Sequence, residues 1–289
     1  MDVLFTSRNL IGDGLEICPS LRAWHKQHPD ASIDLLTDDN NTAEIYKWMG
    51  VPLTVCFQPL KRHYDFEFVF DITKAFSLCD IHKCCMAEGY ARLLGVEIGR
   101  EQSDYAPYFD AETLSEEEQR LADSVPDEVI LFAPFSRSCS SHQPGRPPNK
   151  CLPWFKWRQI IDYLRTLGKP IRITGSADDR ADDLAFSEEE YLAGFPLRPL
   201  AHVMKHKTHL LVSVDNGLSH LAGSQGTPHI LIYPLCLGMH YAVPWGNPHV
   251  VPIQLDPALV HPGQLVQQFR KAYYVLGDII EGEKENAQA

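Results

Sequence analysis

Residues 210–234 read LLVSVDNGLSHLAGSQGTPHILIYP. An apolar run with strand character ends in Asp215-Asn216-Gly217, and a short run with helix character begins there. Free N–H groups and the positive dipole end of such a helix make a site for an anion. Gly217 lets a diphosphate approach the backbone closely. Asp215 is itself negative, so its expected part is to orient the turn or cap the helix. An ordinary strand, turn and Asp- or Asn-capped helix explains the same residues equally well.

A second junction, Ile11-Gly12-Asp13-Gly14, follows the first apolar run of the chain. A carboxylate there either caps the next helix, the commoner use, or points outward to accept a proton. Such junctions line the crevice at the carboxyl ends of parallel strands. A third feature is basic: from Ser136 to Lys150 the chain carries Arg137, His142, Arg146 and Lys150 and no acid. Between Ser138 and Asn149 it is rich in Pro and Ser, which predicts a loop acting as a flap. Gly175-Ser176-Ala177-Asp178-Asp179 is an acidic loop after a strand-like run.

The elements that must position these residues alternate. Strands are predicted at 3–6, 32–37, 53–57 and 66–71, with helices at 15–27, 42–49 and 82–94. Gly12-Asp13-Gly14 is expected to be a turn. An acidic amphipathic stretch at 115–127 is taken as the domain boundary. A second series follows, with strands at 129–133, 171–174, 210–214 and 229–233. Its helices are expected at 154–167, 217–224 and 262–275, and the tail from Glu281 is expected to be disordered. Strands alternating with helices predict parallel sheets wrapped by helices. The expected fold is therefore α/β, with two Rossmann-like domains facing a central cleft. Residues 1–126 are expected to form the first domain and 127–289 the second. The C-terminal helix is a candidate to pack back on the first.

Composition narrows the class. The chain has 289 residues, enough for two cores, with 44% hydrophobic and 22% charged residues. There is no apolar run long enough to span a bilayer, and the first residues do not read as a signal peptide. Eight cysteines at 18, 56, 79, 84, 85, 139, 151 and 236 form no C-x-x-C pair. Reduced thiols in a cytoplasmic protein are expected. No H-x-x-x-H cluster is expected among the thirteen histidines, so no metal site is expected. A net charge of −12 disfavours phosphate polymers and anionic membranes unless charge is segregated, as it is at 136–150.

The motifs resemble glycosyltransferase family 9, the heptosyltransferase family, whose fold is of the GT-B type. Asp215, Asn216, Gly217, Leu218, His220, Leu221, Ala222, Gly226 and Pro228 match its signature, nine positions within fourteen residues. Arg8 and the run from Ile11 resemble the family's R-x-x-x-G-D pattern, although Gly14 stands where the family usually has a larger apolar residue. Lys150, Leu152, Pro153 and Trp157 match K-x-[WL]-P-x-x-x-W. The resemblance runs over about residues 3–275.

It implies Asp13 as general base, with Arg8 and Gly12 on the acceptor side. It implies that the backbone at 215–217 holds the donor diphosphate, with Leu218 and His220 beside it. Lys150, Ser136 and Ser138 would stabilise the leaving diphosphate, and Asp178 or Asp179 would bind the ribose. The reaction is expected to be inverting and metal-independent, with no cofactor beyond the nucleotide-diphosphate sugar. The expected acceptor is a lipopolysaccharide or other saccharide or lipid-linked hydroxyl. Two alternatives stay open. One is a phage-type DNA glycosyltransferase acting on a hydroxymethylated base, with residues 136–150 on the phosphates. The other is a non-catalytic sugar-nucleotide-binding protein or an epimerase.

Overall fold

In the computed structural model the described residues are 1–8, 10–60, 63–99, 114–136, 152–177, 179, 184–234, 243–244, 246–256 and 259–288. The chain divides into two compact units, Met1–Thr113 with Pro244–Gly246, and Leu114–Val243 with Asn247–Ala289.

The first unit runs β1 (Asp2–Thr6), α1 (Ile11–Gln27), β2 (Ser32–Leu36), α2 (Asn40–Lys47), β3 (Leu53–Cys56), β4 (Phe66–Val69), α3 (Ile72–His82) and α4 (Met86–Leu94). Its four strands are parallel, in the order β3-β2-β1-β4. Val3 and Phe5 of β1, Leu15 and Leu21 of α1 and Leu35 of β2 are fully buried. The chain winds from β1 to β3 on one side, then returns to the other side of β1 with β4. The carboxyl ends of β1 and β4 therefore bound a topological switch point, where α/β sheets bind ligands. The first turn of α1 starts at that end of β1.

The second unit runs α5 (Glu116–Asp123), β5 (Val129–Ala133), α6 (Trp154–Arg165), β6 (Ile171–Ile173), a 3₁₀ turn (Glu188–Glu190), α7 (Leu197–His206), β7 (Thr208–Val214), α8 (Gly217–Ser224), β8 (His229–Pro234), β9 (Val250–Leu255) and α9 (Pro262–Gln288). Its five parallel strands lie in the order β6-β5-β7-β8-β9. All five residues of β5 are buried, as expected for a strand covered on both faces. The switch point falls between β5 and β7. Both units are thus Rossmann-like α/β structures with parallel sheets.

Several elements differ from the sequence expectation, each for a physical reason. The helix expected from 15 begins at Ile11, so Gly12-Asp13-Gly14 is its first turn rather than a loop. The helix expected at 82–94 starts later, as α4 at Met86, and His82 instead ends α3, which was not foreseen. Lys83 turns left-handed at φ 53° and ends α3 in a Schellman-type cap, its successor's amide bonding back from Cys84 to Cys79 O. The helix α7 was not foreseen, and Pro196 and Pro199 stand at its start. They occupy the N-cap and first turn, where a missing N–H costs nothing. Strand β9 contains Pro252 and is an edge strand, where proline is tolerated.

The acidic segment taken as the boundary is α5 and belongs to the second unit. Glu118 accepts from Arg198 of α7 at 2.8 Å. The last helix continues to Gln288, through the tail expected to be disordered. Its Leu265, Phe269, Ala272 and Leu276 join the core of the second unit. Among the described residues no helix is long and apolar enough to cross a membrane.

Candidate functional site

The first constellation is built on α1. The N-cap is Leu10, which has no side chain to cap with, and Asp13 is the acid of the first turn. Asp13 is therefore not the cap. Its charge instead meets the positive end of the helix. The phenol of Tyr90 on α4 donates to Asp13 Oδ1 at 3.0 Å. Burial first, and then the Asp13 charge, pushes the Tyr90 phenol up from its ordinary value, so it stays a donor. Tyr46 of α2 donates to Ser7 Oγ at 2.7 Å, at the end of β1. Glu16, one turn after Asp13, is buried at 2% exposure.

Gly14 explains how these helices come so close. A Cβ there would lie 2.7 Å from Thr42 Cγ2 and 3.7 Å from Tyr46 Oη. A larger residue at position 14 would push α2 and its tyrosine outward. Arg8 is exposed just after β1, and Gly12 is half-buried in the same first turn as Asp13.

The second constellation lies at the β5/β7 switch point. Asn216, not Asp215, is the N-cap of α8. Its Oδ1 accepts from Ser219 N at 2.9 Å. The Asn216 N–H in turn donates to Ser219 Oγ at 3.3 Å, closing the capping box, and the Ser219 hydroxyl donates to Asn216 O at 2.6 Å. The amide of the same Asn216 side chain donates to Ala133 O at 3.2 Å and Phe135 O at 2.7 Å. One side chain thus ties the end of β5 to the start of α8. The next two amides, of Gly217 and Leu218, belong to the first turn, whose N–H groups lie outside the helical ladder. Both residues are half-buried. Asp215 is paired with His220, Oδ1 to Nε2, at 3.6 Å, and both are nearly buried. Behind them His229 is fully buried with Nε2 2.8 Å from Ser213 Oγ, and burial pushes this imidazole down to about 3.

The remaining site residues separate. Ser136 is half-buried just beyond β5. Lys150, Ser138 and Asp178 lie outside the described residues, as do Arg137, His142 and Arg146. Asp179 builds its own turn, accepting from Ser176 N at 2.6 Å. Leu152 and Trp157 of the K-x-[WL]-P-x-x-x-W match are core residues. Trp157 packs edge-on against Phe132 at 5.0 Å, and Pro153 is the N-cap of α6. That half of the motif anchors a helix.

Sequence reasoning missed Tyr90 and Tyr46. In the sequence Tyr90 falls on the apolar positions of the 82–94 helical spacing, and nothing in that spacing shows a partner 77 residues away. It also missed a pair of histidines. His202 and His206 stand at H-x-x-x-H spacing on α7, with ring centres 4.7 Å apart. Burial lowers the pKa of both. Among the described residues no third His, Cys, Asp or Glu completes a metal-binding group.

Comparison with known proteins supplies a family. The model of glycosyltransferase family 9 (heptosyltransferase) matches residues 70–249. No curated protein sequence matches. Among solved structures, a family 9 glycosyl transferase from Veillonella parvula is 17% identical over 97% of each chain, with a TM-score of 0.69. The E. coli ADP-heptose LPS heptosyltransferase II is 16% identical over 98% of this chain and 100% of its own, with a TM-score of 0.67. The E. coli heptosyltransferase WaaC, solved with ADP, is 18% identical over 94% and 100%, with a TM-score of 0.65. At these identities the likeness is one of fold, and that fold is of the GT-B glycosyltransferases.

Proposed function

The chain belongs to glycosyltransferase family 9, and from that premise we propose that it transfers a sugar, with inversion, from a nucleotide-diphosphate donor to an acceptor hydroxyl. The observation that carries this reading is the Asn216-capped start of α8 at the β5/β7 switch point. A diphosphate needs closely spaced amides and no nearby bulk, which Gly217 and Leu218 at a helix N-terminus supply. The solved relatives with ADP and ADP-linked heptose support an adenine nucleotide and a heptose as the donor parts. Heptosyltransferase II, named for lipopolysaccharide, supports a lipopolysaccharide-core saccharide as acceptor.

In this mechanism Asp13 takes the proton of the acceptor hydroxyl as that oxygen attacks the anomeric carbon. The bond from the anomeric carbon to the diphosphate breaks on the opposite face. The departing electrons go to the diphosphate oxygen, stabilised by the amides of Gly217 and Leu218, by Lys150 and by the hydroxyls of Ser136 and Ser138. Asp215 and His220 brace the turn that presents these amides. Arg8 and Gly12 meet the acceptor, and Asp178 or Asp179 the ribose. No metal is required, because Lys150 and the helix end provide the positive potential.

A thermal-shift panel of ADP, UDP, GDP and ADP-heptose tests the donor assignment. ADP and ADP-heptose at a hundredfold their dissociation constants should add about 2.7 kcal/mol of stability. Stabilisation by UDP or GDP alone would overturn the adenine assignment, and none by any nucleotide would overturn the donor site. Lys150→Ala should weaken ADP binding by roughly ten- to a hundredfold. Full activity in EDTA is expected.

A further inference from the structure

Two buried tyrosines, from two different helices, stand beside Asp13, and they do different work. Tyr46 gives its hydroxyl to Ser7 Oγ and so ties α2 to the end of β1. Tyr90 gives its hydroxyl to Asp13 Oδ1. We propose that Tyr90 is a positioning residue for the reaction: its phenol fixes the Asp13 carboxylate in the one orientation that can receive the acceptor's proton. The proposal rests on Asp13 being the base.

The case is geometric. Asp13 is half-buried in the first turn of a helix, where a carboxylate has several rotamers open to it. A base works only when its oxygen meets the proton at hydrogen-bond distance, and small misplacements are costly. The Tyr90 ring is held more firmly than the group it holds. It is fully buried, and Phe70 packs edge-on against it at 6.0 Å. Its helix is held at both ends, by a Cys85–Glu88 capping box and by a left-handed Gly95. At mid-helix, Gly89 allows contact with α3 so close that a Cβ would lie 2.6 Å from Cys79 Sγ and 3.0 Å from Ala75 O. A rigid helix therefore delivers one hydroxyl to one carboxylate oxygen. Burial and the facing negative charge keep that hydroxyl protonated, so the contact persists at any pH at which the enzyme would work.

The Tyr90 hydroxyl is also a hydrogen-bond donor to the Asp13 carboxylate. A donor to the ionised form favours it and lowers its proton affinity. Among the described residues, the charged and titratable groups that act on Tyr90 include Asp13, Tyr46 of α2 and Glu16 of α1, and Asp13 also acts on Tyr46. Replacing Tyr90 with Phe takes a hydrogen bond from the carboxylate without adding or deleting a charge.

The test is a double-mutant cycle with Tyr90→Phe and Asp13→Asn, read by transfer rate, donor affinity and pH profile on folded protein. Tyr90→Phe should lower kcat about tenfold, leave ADP affinity within twofold, and move the acid limb of kcat/KM up by about one pH unit. In the Asp13→Asn background the same change should alter the residual rate by less than about twofold. Two results overturn the proposal: a Phe variant within twofold of the parent with an unmoved acid limb, or an equal loss in both backgrounds, which marks a merely structural tyrosine. If Asp13→Asn alone keeps its rate, the base assignment falls instead, and the cycle separates the two failures. Should the Phe variant not fold, 3-fluorotyrosine at position 90 keeps ring and hydroxyl and makes a stronger donor. The acid limb should then move to lower pH, and an unmoved limb overturns the proposal.

Discussion

Gly14 shows what a single residue can decide. Alanine has the higher helix propensity by about 1 kcal/mol, so propensity alone favours Gly14→Ala. Here the added Cβ would meet Thr42 Cγ2 at 2.7 Å, and overpacking typically costs about 1–3 kcal/mol. Gly14→Ala should therefore lower the urea midpoint. In a Thr42→Ser background the methyl is gone, while the hydroxyl that donates to Asp39 Oδ1 is kept. There the alanine should become neutral or stabilising, and urea melts of the four proteins check this. His229 gives a second test at this scale. Its imidazole is held neutral down to about pH 3, against an ordinary value of 6.5. Below 6.5 the unfolded chain binds a proton that the folded one refuses, so stability falls with pH from 6.5 toward 3, by about 1.4 kcal/mol per unit. His229→Gln should lose about 2 kcal/mol less than the parent between pH 6.5 and 5 in paired melts. At this scale the sequence showed Asp13 and Asn216 because each sits in a dense local pattern. Tyr90 stayed hidden because its meaning comes from α1 packing on α4, which no local pattern encodes.

At the scale of elements, the start of α8 joins stability to binding. Asn216 accepts from Ser219 N and donates to two carbonyls at the end of β5. Asn216→Ala removes both functions and should cost about 2 kcal/mol while weakening ADP binding about tenfold. Asn216→Asp keeps an acceptor for the cap but cannot donate to Ala133 and Phe135. It also places a charge beside the diphosphate, so it should bind ADP still more weakly than the alanine variant while being the more stable of the two. Chemical denaturation and calorimetric titration on both variants test this ordering. Most elements were legible because parallel strands read as apolar runs and helices as 3.6-residue spacing. Some of the exceptions share a cause. Proline at 196, 199 and 252 reads as a breaker in sequence, yet it sits at a helix start or on an edge strand, where its missing N–H goes unneeded. The split of α3 from α4 turns on Lys83 at positive φ, which a lysine does not announce.

At the scale of the whole molecule, two Rossmann-like units each present a candidate group at a sheet's switch point. The first offers a carboxylate at the end of β1, and the second a helix N-terminus between β5 and β7. The division into two sheets was readable early, because alternating strands and helices on either side of an acidic segment imply two of them. The acidic segment itself was misplaced. The stretch taken as the boundary is instead α5, whose Glu118 pairs with Arg198 within the second unit. The central claim is that transfer chemistry belongs to the first unit and donor affinity to the second. It is tested most directly by measuring transfer rate and ADP affinity together on Asp13→Asn. The Asn side chain is nearly the same size and can still accept from Tyr90, so the fold should survive. The rate should fall by about a hundred- to ten-thousandfold, with ADP affinity unchanged within twofold. A variant that transfers sugar within a fewfold of the parent rate, or that loses ADP binding along with its rate, contradicts the account.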